Sequence, residues 1–247
     1  MLVAAAVCPC PPLLVPDVAA GAAPELDAAR TACADALSVL AASRPDRLVV
    51  VGPAEVDEPW VYPQGARGSF KGFGVDVGVR LGAPGAAEPG SEGPGSAAPE
   101  RALPASLAVA AWLLERVRWA DAPVEGLGVD QRLAAERCAE AGRELAALAP
   151  RVALLVMGDG SACRTLKAPG YLDERAAAFD AGVARALGAA DTTALTALDA
   201  SLAYELKVAG RAPWQVLAGA AEGADPAGQL LYEDAPYGVG YFVAAWS

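Results

Sequence analysis

The chain has 247 residues, of which 54% are hydrophobic and 20% charged, and these proportions suit a single globular domain with a sizeable core. Its net charge of −11 disfavours nucleic acid as a partner. The chain contains no histidine. A histidine general base, a histidine-based triad and a two-His-one-carboxylate iron site are therefore excluded.

An odd number of cysteines without an export signal indicates reduced thiols and a cytoplasmic protein. Residues 1–8 resemble a lipoprotein signal only superficially, because their apolar run is short and no basic segment precedes it. No apolar run reaches the roughly 20 residues that span a bilayer, so we expect no membrane partner. The cysteines are Cys8, Cys10, Cys33, Cys138 and Cys163.

Apolar runs and helical spacing predict alternating strands and helices along the whole chain. The predicted strands are residues 2–7, 47–52, 75–81, 124–129, 151–157 and 238–246. The predicted helices are residues 24–40, 104–119, 130–148, 173–187, 192–209 and 213–221. This alternation predicts an α/β fold, with a central, largely parallel or mixed β-sheet flanked by helices on both faces. We expect one domain over residues 1–247, with a mobile surface insertion rich in Gly, Pro and Glu at about 82–102.

Three turns follow predicted strands directly and carry unusual polar or thiol groups. They are Cys8–Pro12, Pro53–Glu55 and Gly158–Arg164. In open α/β sheets the ligand cleft lies beyond the carboxyl ends of the strands. The sequence therefore predicts that these turns form a ligand cleft.

Five segments, in order along the chain, carry a family resemblance. They are CPCPPLL (8–14), VVVGP (49–53), GDGS (158–161, followed by APGY at 168–171 and FD at 179–180), WQVLAGA (214–220) and YGVGY (237–241). Together they resemble class III extradiol ring-cleavage dioxygenase B subunits, whose architecture Memo-type proteins share. The resemblance covers nearly the whole chain and implies the α/β fold of that family.

That family holds Fe(II) with two histidines and one carboxylate, and another histidine acts as its acid/base. By resemblance, the two metal-histidine positions fall on Cys10 and Ala54, and the acid/base position falls on Ala162 or Cys163. The carboxylate falls near residues 208–212, which read VAGRA. Every functional position differs, so the resemblance implies a scaffold or small-molecule-binding protein that does not cleave catechols by itself.

A rebuilt catalytic site in the same cleft is the alternative. Cys10, Asp159 and Cys163 are the catalytic candidates, and with Glu55 they could form a thiolate and carboxylate site for zinc, copper or iron. The competing interpretation is that the two cysteines are small buried side chains. Asp159 is either a general base or metal ligand, or a structural residue that forms an Asx turn or caps the following helix. We expect no metal and no cofactor, and enzymatic activity stays open.

Ser161, Arg164 and Lys167 follow the glycines of the third turn. Glycine-rich turns present backbone N–H groups, and two cations could hold an anion, so these residues are candidate ligands for a carboxylate or phosphate. The alternative is a turn whose glycines only satisfy backbone geometry. The partners considered are thus a small-molecule ligand, a second copy of the chain and a partner subunit, with no nucleic acid and no membrane.

Overall fold

A computed structural model describes residues 1–82 and 101–247. The predicted insertion at 82–102 therefore lies almost entirely outside the described residues. The strands are β1 (Leu2–Cys8), β2 (Arg47–Pro53), β3 (Trp60–Tyr62), β4 (Arg67–Ser69), β5 (Gly78–Arg80), β6 (Val124–Val129), β7 (Val152–Met157), β8 (Gly228–Asp234) and β9 (Tyr241–Trp246).

Seven of these strands form one mixed sheet, in the order β3-β6-β2-β7-β1-β9-β8. Strands β6, β2, β7 and β1 are parallel, whereas β3, β9 and β8 run antiparallel to their neighbours. The central strands are continuous apolar runs because both of their faces are covered. The predicted mixed α/β fold is confirmed.

Helices cover both faces of the sheet. They are α1 (Pro16–Ala19), α2 (Asp27–Ala42), α3 (Ala105–Arg116), α4 (Ala135–Ala147), α5 (Arg175–Ala189), α6 (Thr192–Thr196), α7 (Ala200–Glu205) and α8 (Arg211–Ala220). Along β1, Ala4 and Ala6 face the core shared with α2 and α3, and Ala5 and Val7 face the core shared with α4, α5 and α8. Within the described ranges, no helix is both long and apolar enough to cross a membrane.

Two predicted elements were wrong in detail, and three strands were missed. The predicted helix 192–209 is two short helices, because the Asp199 carboxylate accepts a hydrogen bond from the Leu202 N–H (2.8 Å) and starts α7 there. The strand predicted at 75–81 shortens to β5, which pairs with β4 in a separate ribbon. Strands β3, β4 and β8 were not predicted.

Candidate functional site

A cleft of about 630 Å³ opens beyond the carboxyl ends of β1, β2 and β6. The N-terminal residues of α3 form the opposite wall. This is the end of the sheet where an open α/β fold places a ligand. The cleft contains two of the three turns that the sequence singled out, and it adds the turn that follows β6.

The turn after β2 is held against both α3 and β6. Ser106 Oγ donates to the Pro53 carbonyl oxygen (2.6 Å), and the Ala54 N–H donates to the Val129 carbonyl oxygen (2.9 Å). Gly52 makes this approach possible, since an added Cβ would lie 2.8 Å from Ser106 Oγ. These contacts place Ala54 in the wall of the cleft.

Hydrogen bonds from Arg211, the first residue of α8, hold the turn after β6 in place. The Arg211 guanidinium is buried and donates to the carbonyl oxygens of Leu133 (2.6 Å) and Gln131. Burial lowers the pKa of Arg211. The resemblance places a carboxylate near residues 208–212, and the structure has this buried cation there, acting as a support for the cleft wall.

Arg132 and Tyr204 form the polar and aromatic edge of the cleft. Arg132 Nη2 donates to the Tyr204 hydroxyl (2.6 Å), and its guanidinium lies 4.8 Å from the centre of the Tyr204 ring. Tyr204 remains 54% exposed. Sequence reasoning missed both residues. Asp130 follows β6 immediately, much as Asp159 follows β7 after one glycine, and this position was the available signal for the turn that contains Arg132. Tyr204 had no such signal.

Cys10 lies in the cleft wall and contacts Asp159 behind it. The Cys10 N–H donates to Asp159 Oδ1 (2.8 Å). Desolvation outweighs this bond and raises the pKa of Asp159 to about 7. Burial, and then the neighbouring Asp159, raise the pKa of the Cys10 thiol well above its usual value. The pair therefore presents a protonated thiol and a carboxyl group that titrates near neutrality, and Cys10 is a poor nucleophile.

The third turn is built around a different carboxylate, Asp180, which is fully buried. Asp180 accepts hydrogen bonds from the Ser161 N–H (2.8 Å) and hydroxyl (2.7 Å), and it pairs with the Arg164 guanidinium (3.0 Å). Lys167 is exposed. Of the three candidate anion ligands, Ser161 and Arg164 thus already contact a protein carboxylate. The anion site stays a prediction.

Cys163 belongs to the core on the other face of the sheet from Cys10. Its thiol is buried and donates to the Leu206 carbonyl oxygen (3.5 Å). Only Cys10 and Glu55 of the candidate metal ligands line the cleft. In the part of the chain that the structure describes, no three Cys, Asp or Glu side chains group as metal ligands would. This donor set, without imidazole, does not fit the iron site of the family resembled.

No family model matches the chain, and no curated protein matches it. Among solved structures, it is similar to the crystal structure of an uncharacterized protein, JW3007, from Escherichia coli K12. The two chains are 17% identical, with a TM-score of 0.59 and coverage of 99% of each. A likeness at this identity shows a shared α/β fold and nothing of function.

Proposed function

We propose that the chain is a non-catalytic relative of the class III extradiol dioxygenase B subunits that binds a small organic molecule in the cleft. One observation carries this proposal. Cys10 and Ala54, which correspond by resemblance to the iron-binding histidines, both line the cleft of about 630 Å³. The volume suits a small ligand. The groups that would hold iron there are replaced by a protonated thiol and a methyl group.

The walls of the cleft favour an aromatic carboxylate as the ligand. Pro53, Ala54 and Pro104 supply apolar surface against which a ring can lie. Arg132 supplies a guanidinium that donates to the Tyr204 hydroxyl and forms no ion pair within the described residues, so a ligand carboxylate can pair with it. The other polar groups of the lining are those of Glu55, Ser106, Asp130, Gln131 and Tyr204. Polar groups that converge beside apolar surface are typical of small-molecule sites.

The test is a calorimetric titration with 3,4-dihydroxybenzoate, together with oxygen uptake in the presence of Fe(II). We expect binding in the micromolar to millimolar range, about −8 to −4 kcal/mol, without oxygen uptake. Ala105→Trp should abolish binding, because Ala105 is exposed and lines the cleft. Ala177→Trp, at an exposed position on α5, is the matched control and should bind normally.

Two results would contradict this proposal. Equal binding by both tryptophan variants would place the ligand outside the cleft. Sustained oxygen uptake with ring cleavage by the pure protein would show that it is an enzyme.

A metalloenzyme or oxidoreductase with a rebuilt site in the same cleft is the second candidate. The observation that favours it is the contact between Cys10 and Asp159, whose pKa of about 7 is suited to general acid/base chemistry. Elemental analysis of tag-free protein after anaerobic reconstitution with zinc, copper or iron tests this idea. Stoichiometric metal that Cys10→Ala removes would support it, and metal retained in that variant would count against Cys10 as a ligand.

A further inference from the structure

A second concave surface, the β3–α4 groove, lies at the edge of the sheet that begins with β3. Its volume is about 440 Å³, and it is lined by residues of β3, β6 and α4. Val61 of β3 pairs directly with Leu127 of β6, so the two side chains lie on the same face of the sheet. Val61 is 57% exposed, although Leu127 is buried.

On the face of the sheet that packs against α4 and α8, the helical layer stops before the edge strand β3. Helix α4 packs closely against α8, because Gly142 and Gly219 let the two backbones approach each other. Leu145 of α4 and Leu148, which follows it, also line the groove, and Leu148 is 48% exposed. An apolar strip beside α4 is therefore left uncovered in the described residues, at a place where a further helix would continue the layer.

The rim of the groove is acidic. Four glutamates and one arginine line it. The arginine, Arg137, pairs with Glu140 (2.6 Å) and with Glu58 (3.7 Å). Arg47 pairs with Glu125 from outside the groove (3.1 Å). The lining thus keeps an excess of negative charge around an apolar floor.

We infer that the β3–α4 groove binds a cationic amphipathic helix of a partner protein. Apolar anchors spaced at i, i+3/i+4 and i+7 would cover the exposed side chains of Val61 and Leu148, and flanking Lys or Arg side chains would meet the glutamates. A second copy of this chain is a poorer occupant, because each copy carries a net charge of −11. This surface is separate from the cleft, and the inference does not depend on the proposed ligand.

The probe is a fluorescein-labelled synthetic helix of Leu and Lys with that spacing, and its Leu/Glu counterpart is the negative control. We expect fluorescence anisotropy to show saturable binding of the Leu/Lys peptide that weakens as salt increases. The double charge reversal Glu140→Lys with Glu144→Lys should weaken binding by about tenfold or more. The control variant is Glu174→Lys with Glu233→Lys, two exposed positions elsewhere, which produces the same net charge.

The apolar floor is tested separately. Val61→Ser should weaken binding by about threefold to tenfold, whereas Val117→Ser, at an exposed position after α3, should not. Both positions are exposed, and thermal unfolding verifies that the variants fold. Equal weakening by the two charge-reversal variants, or no effect of Val61→Ser, would overturn the inference. A dimer in light scattering that Val61→Ser dissolves would assign the groove to a second copy instead.

Discussion

Asp159 is half-buried and Asp180 is fully buried, and both lie at the same end of the sheet. The two carboxyl groups differ in the hydrogen bonds and charges that surround them. Asp180 accepts hydrogen bonds from Ser161 and pairs with Arg164, so its charge is compensated on the spot. Asp159 accepts a hydrogen bond from the Cys10 N–H and forms no ion pair within residues 1–82 and 101–247, and desolvation raises its pKa to about 7. A buried carboxylate with several donors holds the segments that supply them in place. A desolvated carboxyl group with few donors has a raised pKa and can change protonation near neutral pH.

The largest effect is expected for Asp180→Ala, which leaves the Arg164 charge and the Ser161 donors without their partner. We expect a loss of about 3 to 5 kcal/mol in the free energy of unfolding, measured by urea denaturation. Ser161→Ala removes one hydroxyl donor and should cost only about 1 kcal/mol. If the two variants lose the same stability, Asp180 is not the centre of this turn.

Asp159→Asn should change the pH dependence of stability. The pKa of Asp159 is raised from 3.8 to about 7, so the folded state favours the protonated carboxyl. The contribution of this protonated carboxyl to the free energy of unfolding is fully present below about pH 4, and it is lost as the pH rises through about 7. The free energy of unfolding of Asp159→Asn, relative to that of the wild type, should therefore increase by on the order of 1 to 2 kcal/mol between about pH 4 and 8. This magnitude allows for the partial exposure of Asp159.

Urea denaturation of both proteins across this pH range measures the difference. Parallel pH profiles of the wild type and the variant would show that Asp159 is ordinarily solvated, and the contrast with Asp180 would disappear.

The smallest effect concerns thiol reactivity. All five cysteines are buried, so native protein should react with a disulfide reagent far more slowly than urea-unfolded protein at neutral pH. At alkaline pH, Asp159→Asn should speed the reaction of Cys10 a few-fold, because the carboxylate that helps to raise the thiol pKa is gone. Introducing Cys10→Ala into the wild type and into Asp159→Asn identifies the part of each reaction rate that is due to the Cys10 thiol. Fast reaction in the native wild type would contradict its burial.

The fold was largely predictable because the central strands are buried on both faces. Residues 2–7, 47–52 and 151–157 are apolar runs, and each became a strand of the parallel core. Strand β3 is only three residues long, and β8 is an edge strand with mixed burial, so neither leaves a periodic signal of comparable strength.

The cleft was predictable only where its residues follow a strand in sequence. Cys10 and Glu55 were identified in this way, and both line it. Tyr204 reaches the cleft from α7, and Asp180 reaches the third turn from α5, through contacts between residues distant in sequence. A local pattern cannot show that Ser161 and Arg164 already have a carboxylate partner.

The position of β1 in the sheet also limits the order in which the chain can fold during its synthesis. Ala5 pairs with Leu154 on one side and with Trp246 on the other. Strand β1 is synthesised before both of its partners, so its backbone edges stay unpaired until β7 and β9 have also left the ribosome. A high sequence separation of this kind slows folding and leaves strand edges open to association with other chains before the sheet closes.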